Sequence, residues 1–208
     1  MRARVERAGG HVTPPALEAF ETYFRLLARW NRAVNLTALS LDPLRDETVD
    51  RLFVEPIVAA SHVVPAAGPA SVTPVWLDLG SGGGSPAIPL KILWPDWLLT
   101  MVEARQRKAA FLREAVRVLG LSNAEVTNAR FEDLSGFVGQ ADLVTVRAVK
   151  LDAKFAAAAS SLLIESGRLV VFGAAKVVVP GFDVIRTVEL CSPTVMTLLG
   201  RVPRGTNR

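Results

Sequence analysis

The sequence predicts an α/β fold: a Rossmann-like, mostly parallel sheet flanked by helices, preceded by an N-terminal helical extension. Three observations carry this. From Val75 onward, short apolar runs of strand length alternate with segments of helix length, a pattern that buries a parallel sheet between helical layers. The first run, Trp76-Leu77-Asp78-Leu79, turns at once into Gly80-Ser81-Gly82-Gly83-Gly84, so a glycine loop stands at the carboxyl end of the first strand, where open α/β sheets hold ligands. Before residue 70 the apolar positions recur at helical spacing instead.

Taken in order, Thr13-Pro14-Pro15 is a helix start, with Thr13 as N-cap and proline tolerated in the first turn. Leu17, Phe20, Phe24 and Leu27 then follow at steps of three and four, predicting an amphipathic helix to about Val34. Asp42-Pro43 repeats the start signal, and Val49, Leu52, Phe53, Ile57 and Ala60 form the buried side of a second helix. The proline- and glycine-containing stretch 65–74 reads as a linker. It divides a helical extension, 1–70, from a compact α/β unit, 71–208. Strands are expected at 75–79, 98–102, 124–127, 143–146 and 168–172. Helices are expected at 86–93, at 107–119 with Gly120 as its stop, and at 152–164. Two last apolar runs, 184–190 and 194–199, suit a closing antiparallel hairpin.

Composition narrows the function classes. The chain has 208 residues, half of them apolar and 21% charged, the balance of a well-buried core. The longest apolar stretch, 162–182, is interrupted by Glu165, Arg168, Lys176 and Pro180, too broken for a membrane span. The N-terminus carries charge with no apolar segment behind it, so a cytoplasmic protein is expected. A single cysteine, Cys191, allows no internal disulfide and no thiolate metal site, and His11 and His62 are too few for a histidine site. Neither a metal nor a partner subunit is expected. Arginine is unevenly placed: Arg2, Arg4 and Arg7 at one end, Arg201, Arg204 and Arg208 at the other, and Arg105, Arg107, Lys108, Arg113 and Arg117 against a single Glu114 between them. Such runs serve solubility or face a polyanion.

The glycine loop admits three readings. A P-loop needs Gly-Lys-Ser/Thr, and Ser85-Pro86 follows instead. A dinucleotide fingerprint needs glycine at its sixth position, where Ser85 stands, which weakens an NAD-linked oxidoreductase. Asp-x-Gly-x-Gly-x-Gly, the loop of S-adenosylmethionine-dependent methyltransferases, is met in full by Asp78, Gly80, Gly82 and Gly84. Its physical sense is that N–H groups of the following helix receive the cofactor's carboxylate. Asp78 faces the ammonium or a bound water, and glycines let adenosine lie on bare backbone. Glu103, ending the second strand, is placed to accept hydrogen bonds from both ribose hydroxyls. Glu132 and Asp133 are either adenine contacts or surface acids.

Two acceptor classes are disfavoured by the residues, which makes a ring nitrogen attractive. The place after the fourth strand, where exocyclic-amine methylation uses Asp/Asn-Pro-Pro-aromatic, reads Thr145-Val146-Arg147-Ala148. Cys191 stands in a late Leu-Cys-Ser-Pro context that does not suit a covalent nucleophile. A ring nitrogen with its own lone pair needs no general base, and no catalytic base is assigned.

Trp30-Asn31-Arg32-Ala33-Val34-Asn35-Leu36-Thr37 resembles the Trp-Asn-x-x-x-Asn-Leu-Thr signature of the ribosomal small subunit methyltransferase G family, also called glucose-inhibited division protein B. Gly82 to Leu90, Arg107-Lys108-Ala109-Ala110-Phe111-Leu112 and Asp142-Leu143-Val144-Thr145-Val146-Arg147-Ala148-Val149 resemble three more of its strings. The resemblance implies methyl transfer from S-adenosylmethionine to N7 of a guanosine in 16S ribosomal RNA, with the RNA or the small subunit as partner. It carries cofactor contacts to Gly80, Ser85, Glu103, Ala104, Arg105, Phe131, Glu132 and Arg147, and substrate contacts to Asn35, Arg51 and Arg147. Asn35 is equally a helix cap. The family's Arg-His-x-x-Asp-Ser string reads Arg51-Leu52-Phe53-Val54-Glu55-Pro56 here, and Gly173 stands where a lysine is common, with Lys176 three residues on. These departures keep open a second reading, a cofactor-retaining RNA- or ribosome-binding protein of weak or lost activity.

Overall fold

The computed structural model describes residues 2–63, 73–173, 177–191 and 193–202. Its sheet has seven strands in the order β3-β2-β1-β4-β5-β7-β6. They are β1 Val75–Leu79, β2 Leu98–Val102, β3 Ala124–Thr127, β4 Ala141–Arg147, β5 Leu163–Gly173, β6 Phe182–Cys191 and β7 Thr194–Arg201. The first five pair in parallel, and β7 joins β5 and β6 antiparallel. The chain runs outward from β1 to β3, then crosses back to lay β4 on the other side of β1. The carboxyl ends of β1 and β4 therefore diverge into a crevice at the point where the strand order reverses.

Side chains alternate across the sheet, as a two-residue period requires. Trp76, Leu99, Met101, Leu143 and Val170 face one core together with the extension and the helices α5 Ala87–Leu93 and α6 Gln106–Leu119. Leu77, Leu79, Val144, Val146 and Val171 face the other, beneath α7 Ala153–Leu162. Both faces being covered, the central strands are buried almost throughout.

The extension begins with α1 Arg2–Arg7, a helix the apolar spacing did not signal. It is fixed by Val5, fully buried, and by Arg4, whose Nε donates to Asp50 (2.9 Å) and whose Nη1 pairs with Asp46 (2.7 Å). That pairing corrects the expectation for Arg4: this guanidinium is committed inside the chain, not to an external polyanion. Next comes α2, Pro14–Val34, with Thr13 as the expected N-cap, its hydroxyl accepting from Ala16 N. The helix buries Phe20 and Tyr23 against Phe53, at centroid distances of 5.7 and 6.0 Å.

The second helix starts later than Asp42-Pro43 suggests. Ser40 Oγ donates to the Pro43 carbonyl and Thr48 Oγ1 to the Ser40 carbonyl, so these residues make a turn first. Helix then runs as α3 Asp46–Val49, a π-helical turn Asp50–Val54 and α4 Glu55–Ala60. At the other end of the chain, Leu163 and Ile164 pass from the expected helix into strand: α7 stops at Leu162, and Leu163 pairs with Ala141. Asp152, the expected first residue of this helix, is instead the N-cap of α7, accepting from Lys154 N and Phe155 N. Most of the linker 65–74, Lys176, Arg204 and Arg208 lie outside the described residues. Among the described residues no helix is long and apolar enough to cross a membrane.

Candidate active site

The crevice between β1 and β4 opens into a cleft of about 600 Å³. Its floor is the glycine loop. Gly80 and Gly82 have φ of +75° and +56°, values L side chains resist, and a Cβ on Gly82 would make a single ordinary contact, with the Gly80 carbonyl oxygen at 3.7 Å. Gly83 is pinned from below, where the chain's one tyrosine, Tyr23, donates its hydroxyl to the Gly83 carbonyl (2.6 Å). Gly84, φ +90°, has another use: a side chain there would collide with Ile88 and crowd Leu112, so it lets α5 pack close to the loop. Gly84 and Asp78 do not line the cleft.

The loop's amides are largely used internally. Gly80 N and Ser81 N donate to the Val102 carbonyl, Gly84 N to Ser81, and Ile88 N to Gly84. Ile88 N, in the first turn of α5, is thus committed to the loop, which leaves that turn fewer free donors for a carboxylate than the sequence suggests. The cleft presents cations instead: Arg51, Arg105, Lys108 and Arg147.

Glu103 is where the sequence put it, at the end of β2 and buried. Its Oε2 accepts from Gly82 N (2.9 Å) and its Oε1 from Arg105 N (2.8 Å). The carboxylate thus ties the loop to the start of α6, and each oxygen keeps a lone pair facing the cleft wall. Gly80 and Glu103 also border a smaller hollow of about 180 Å³, lined by Ala104, Phe131 and Glu132. Phe131 stands edge-on to Phe155 (5.7 Å), and Glu132 pairs with Lys154 (2.9 Å). Phe131 and Glu132 thus come to the same hollow as Gly80 and Glu103, beside the larger cleft.

Asp78 lies beneath the loop, where its Oδ1 accepts from the Thr145 hydroxyl, which in turn accepts from Trp76 Nε1 (2.8 Å). Its expected role facing a ligand ammonium is corrected to one of support. Burial pushes its pKa up from 3.8 to about 6, opposed by the Thr145 hydrogen bond and, further off, by Arg147. The folded state therefore holds this proton more tightly than the unfolded chain, so its contribution to stability is complete below about pH 4 and is lost as pH rises through about 6. Compared with Asp78→Asn, the wild-type unfolding free energy should fall by up to about 3 kcal/mol from pH 4 to 7. Denaturant titrations at a series of pH values would show it; parallel curves for the two proteins refute it.

The opposite wall comes from the Trp-Asn-x-x-x-Asn-Leu-Thr stretch. Trp30 packs on Phe111 (5.8 Å). Asn31 Oδ1 accepts from Leu36 N (2.7 Å) and Thr37 N (2.9 Å), and its Nδ2 donates to the Thr37 carbonyl. This staple sets Leu36, Thr37, Ala38 and Leu39 along the cleft. Asn35 is the C-cap, at φ +52°, its N–H on the Asn31 carbonyl. It does not line the cleft, so of its two readings the structure carries the cap.

A third wall is the π-helical turn. Arg51 and Leu52 line the cleft, and their carbonyls accept from Ser85 Oγ (3.2 and 3.3 Å). Arg147 Nη1 also donates to the Arg51 carbonyl (2.6 Å). Arg147 lines the cleft with its side chain largely covered, Nη2 on Glu55 (2.8 Å) and its guanidinium carbon 4.9 Å from the Phe172 ring centroid. The next residue, Ala148, carries φ +57° at the rim, backbone strain of a kind that gathers at functional sites.

The four strings of the sequence thus meet around one cleft, and comparison with known proteins agrees. The family model for GidB, rRNA small subunit methyltransferase G, matches residues 16–177. The chain belongs to this family. It is 35% identical over 167 residues to ribosomal RNA small subunit methyltransferase G of Neisseria gonorrhoeae, covering 80% of this chain and 75% of that one. With the protein of the same name from Laribacter hongkongensis it shares 33% identity over 201 residues, 95% of this chain and 89% of that one. Among solved structures, an S-adenosylmethionine-dependent methyltransferase from Aquifex aeolicus shares the fold at a TM-score of 0.57 and 15% identity, covering 76% of this chain and 94% of that one. Against the family's string, which falls in the π turn and the start of α4, Leu52 takes a place on the cleft wall, and Glu55, noted in the sequence only as a departure, becomes the partner of Arg147.

Proposed function

We propose that the chain transfers a methyl group from S-adenosylmethionine to N7 of a guanosine in 16S ribosomal RNA. The observation that supports it most is the coincidence of the glycine floor, Glu103 and the family's wall residues on one cleft. The residues fit the cofactor: the bare backbone of Gly80 and Gly82 accepts an adenosine, the remaining lone pairs of Glu103 suit ribose hydroxyls, and the hollow at Ala104, Phe131 and Glu132 suits adenine. Ser85 and Arg105 hold the two ends of this floor. When bound, the cofactor supplies an electrophilic methyl whose bonding pair leaves with sulfur as the ring nitrogen's lone pair takes the carbon, so no proton moves. What the chain must contribute is alignment and a fixed charge environment. Arg51 and Arg147 support the wall beside the acceptor, and the exposed Arg105, Arg107 and Arg113 of α6 offer phosphates a charged approach.

Mapping 7-methylguanosine in 16S RNA from cells with and without the gene tests the reading. With purified protein, 7-deazaguanosine at the target should eliminate turnover while RNA binding persists. Methyl transfer to the 7-deaza RNA would show that another atom is the acceptor. RNA bound with cofactor but never methylated would favour the binding-protein reading, with Leu52 on the cleft wall as the reason to look first.

A further inference from the structure

Two carboxylates line the cleft, and they differ in what they are doing. Both oxygens of Glu103 are taken by backbone amides. Glu47 stands on the opposite side, in the first turn of α3, exposed at the mouth. Among the described residues its carboxylate has no hydrogen bond and no ion pair within 4.0 Å. Arg51 lies four residues on, the spacing at which a helix can pair an acid with a base. Arg51 is directed elsewhere: its Nη1 donates to Thr194 Oγ1 (3.0 Å) and lies 3.8 Å from Glu55. The rest of the charged lining is cationic, namely Arg51, Arg105, Lys108 and Arg147. An acid left without a partner on a wall of cations is placed for a ligand that brings its own donors.

We propose that Glu47 reads the Watson–Crick edge of the target guanine, an assignment that rests on the function proposed above. Guanine is the base whose edge carries two adjacent donors, N1–H and the N2 amino group, the pair a carboxylate accepts side by side. Enzymes that modify a base in RNA take it out of the stack and recognise this edge once it is unpaired. The same contact aids the chemistry. Alkylation at N7 gives the purine a positive charge and makes N1–H more acidic, so a carboxylate at that hydrogen binds more strongly as the bond to carbon forms. An interaction that strengthens toward the transition state raises the rate and not only the affinity. Adenine presents an acceptor at N1 and would leave Glu47 facing a lone pair.

The test compares RNA carrying guanosine or inosine at the target position; inosine keeps N7 and N1–H but lacks the N2 amino group. Wild-type protein should prefer guanosine by about 10- to 100-fold in kcat/KM, the worth of one charge-assisted hydrogen bond. Glu47→Gln and Glu47→Ala should lose most of their rate on guanosine and bring the preference below about threefold, with kcat falling as well as kcat/KM. Calorimetry should find their affinity for S-adenosylmethionine unchanged. If the variants keep both rate and guanosine preference, Glu47 is only a favourable charge in the first turn of α3 and the assignment fails while the function stands. Loss of cofactor affinity with an unchanged preference would put the carboxylate on the cofactor's ammonium and also overturn it. If the wild type makes no 7-methylguanosine in the guanosine RNA, the proposed function fails and takes this assignment with it.

Discussion

Gly82→Val is expected to abolish S-adenosylmethionine binding while leaving a folded protein. A side chain at Gly82 meets only the Gly80 carbonyl oxygen, at 3.7 Å, so the fold has room for it. The cost to the fold is then mainly the strain of a β-branched residue at φ +56°, on the order of 1–2 kcal/mol. Under the proposed function that same room takes the cofactor. Loss of at least about 100-fold in affinity should follow, equivalent to about 2.7 kcal/mol. Neighbouring glycines would confound the test. A Cβ on Gly80 would lie 2.8 Å from Val149 Cγ2, and one on Gly84 collides with Ile88, so both damage packing as well as binding. Thermal denaturation gives the readout. S-adenosylmethionine at one hundred times its dissociation constant should stabilise the wild type by about 2.7 kcal/mol and the variant not at all. Stabilisation of the wild type by NAD and not by S-adenosylmethionine would overturn the cofactor assignment.

The contrast between Gly82 and Gly84 shows how far a sequence can be read here. Spacing alone placed the loop at the switch point, since an apolar strand followed by four glycines in five positions has few other uses. It did not separate the glycine that clears a ligand from the one that clears Ile88, because that depends on a helix packed from three dimensions. Asp78 illustrates the same limit. Its place in the motif is legible, but burial under the loop and the Thr145 hydrogen bond belong to β4, 67 residues away. The Trp-Asn string was legible as a signature and opaque as a device: Asn31, not Asn35, holds the wall, through three bonds to residues 36 and 37. The α1 helix left no apolar period to find, being too short for one; its anchors are one valine and an arginine paired with acids more than forty residues on. The start of the second helix was misplaced because Asp-Pro signals turns as readily as helices.

Glu55 and Arg147 are expected to be costly to separate and cheap to remove together. Glu55 is 1% exposed and the Arg147 side chain 11%, joined at 2.8 Å. Burial raises the Glu55 pKa against the pull of Arg147 and Arg51, and lowers that of Arg147 to about 10 against the pull of Glu55. For both groups burial is the largest cause, and a buried ion pair of this kind is poor evidence of stabilisation. Arg147 Nε is moreover buried without a hydrogen-bond partner. Glu55→Met leaves Arg147 without its carboxylate and Arg147→Met leaves Glu55 only the longer contact to Arg51 (3.8 Å), and each alone should cost about 3–5 kcal/mol in urea unfolding. The double variant should cost far less than the sum, within about 1–2 kcal/mol of wild type, a coupling that a double-mutant cycle measures directly. Strictly additive losses would show that the two side chains act independently and that their contact is incidental. Methyl transfer separates stability from purpose. The double variant should regain the fold but not the activity, because the Arg51 carbonyl loses the Arg147 donor and the π-helical wall of the cleft loses its tie to β4. That outcome would assign the pair to position: it ties the wall that carries Arg51 and Leu52 to the carboxyl end of β4.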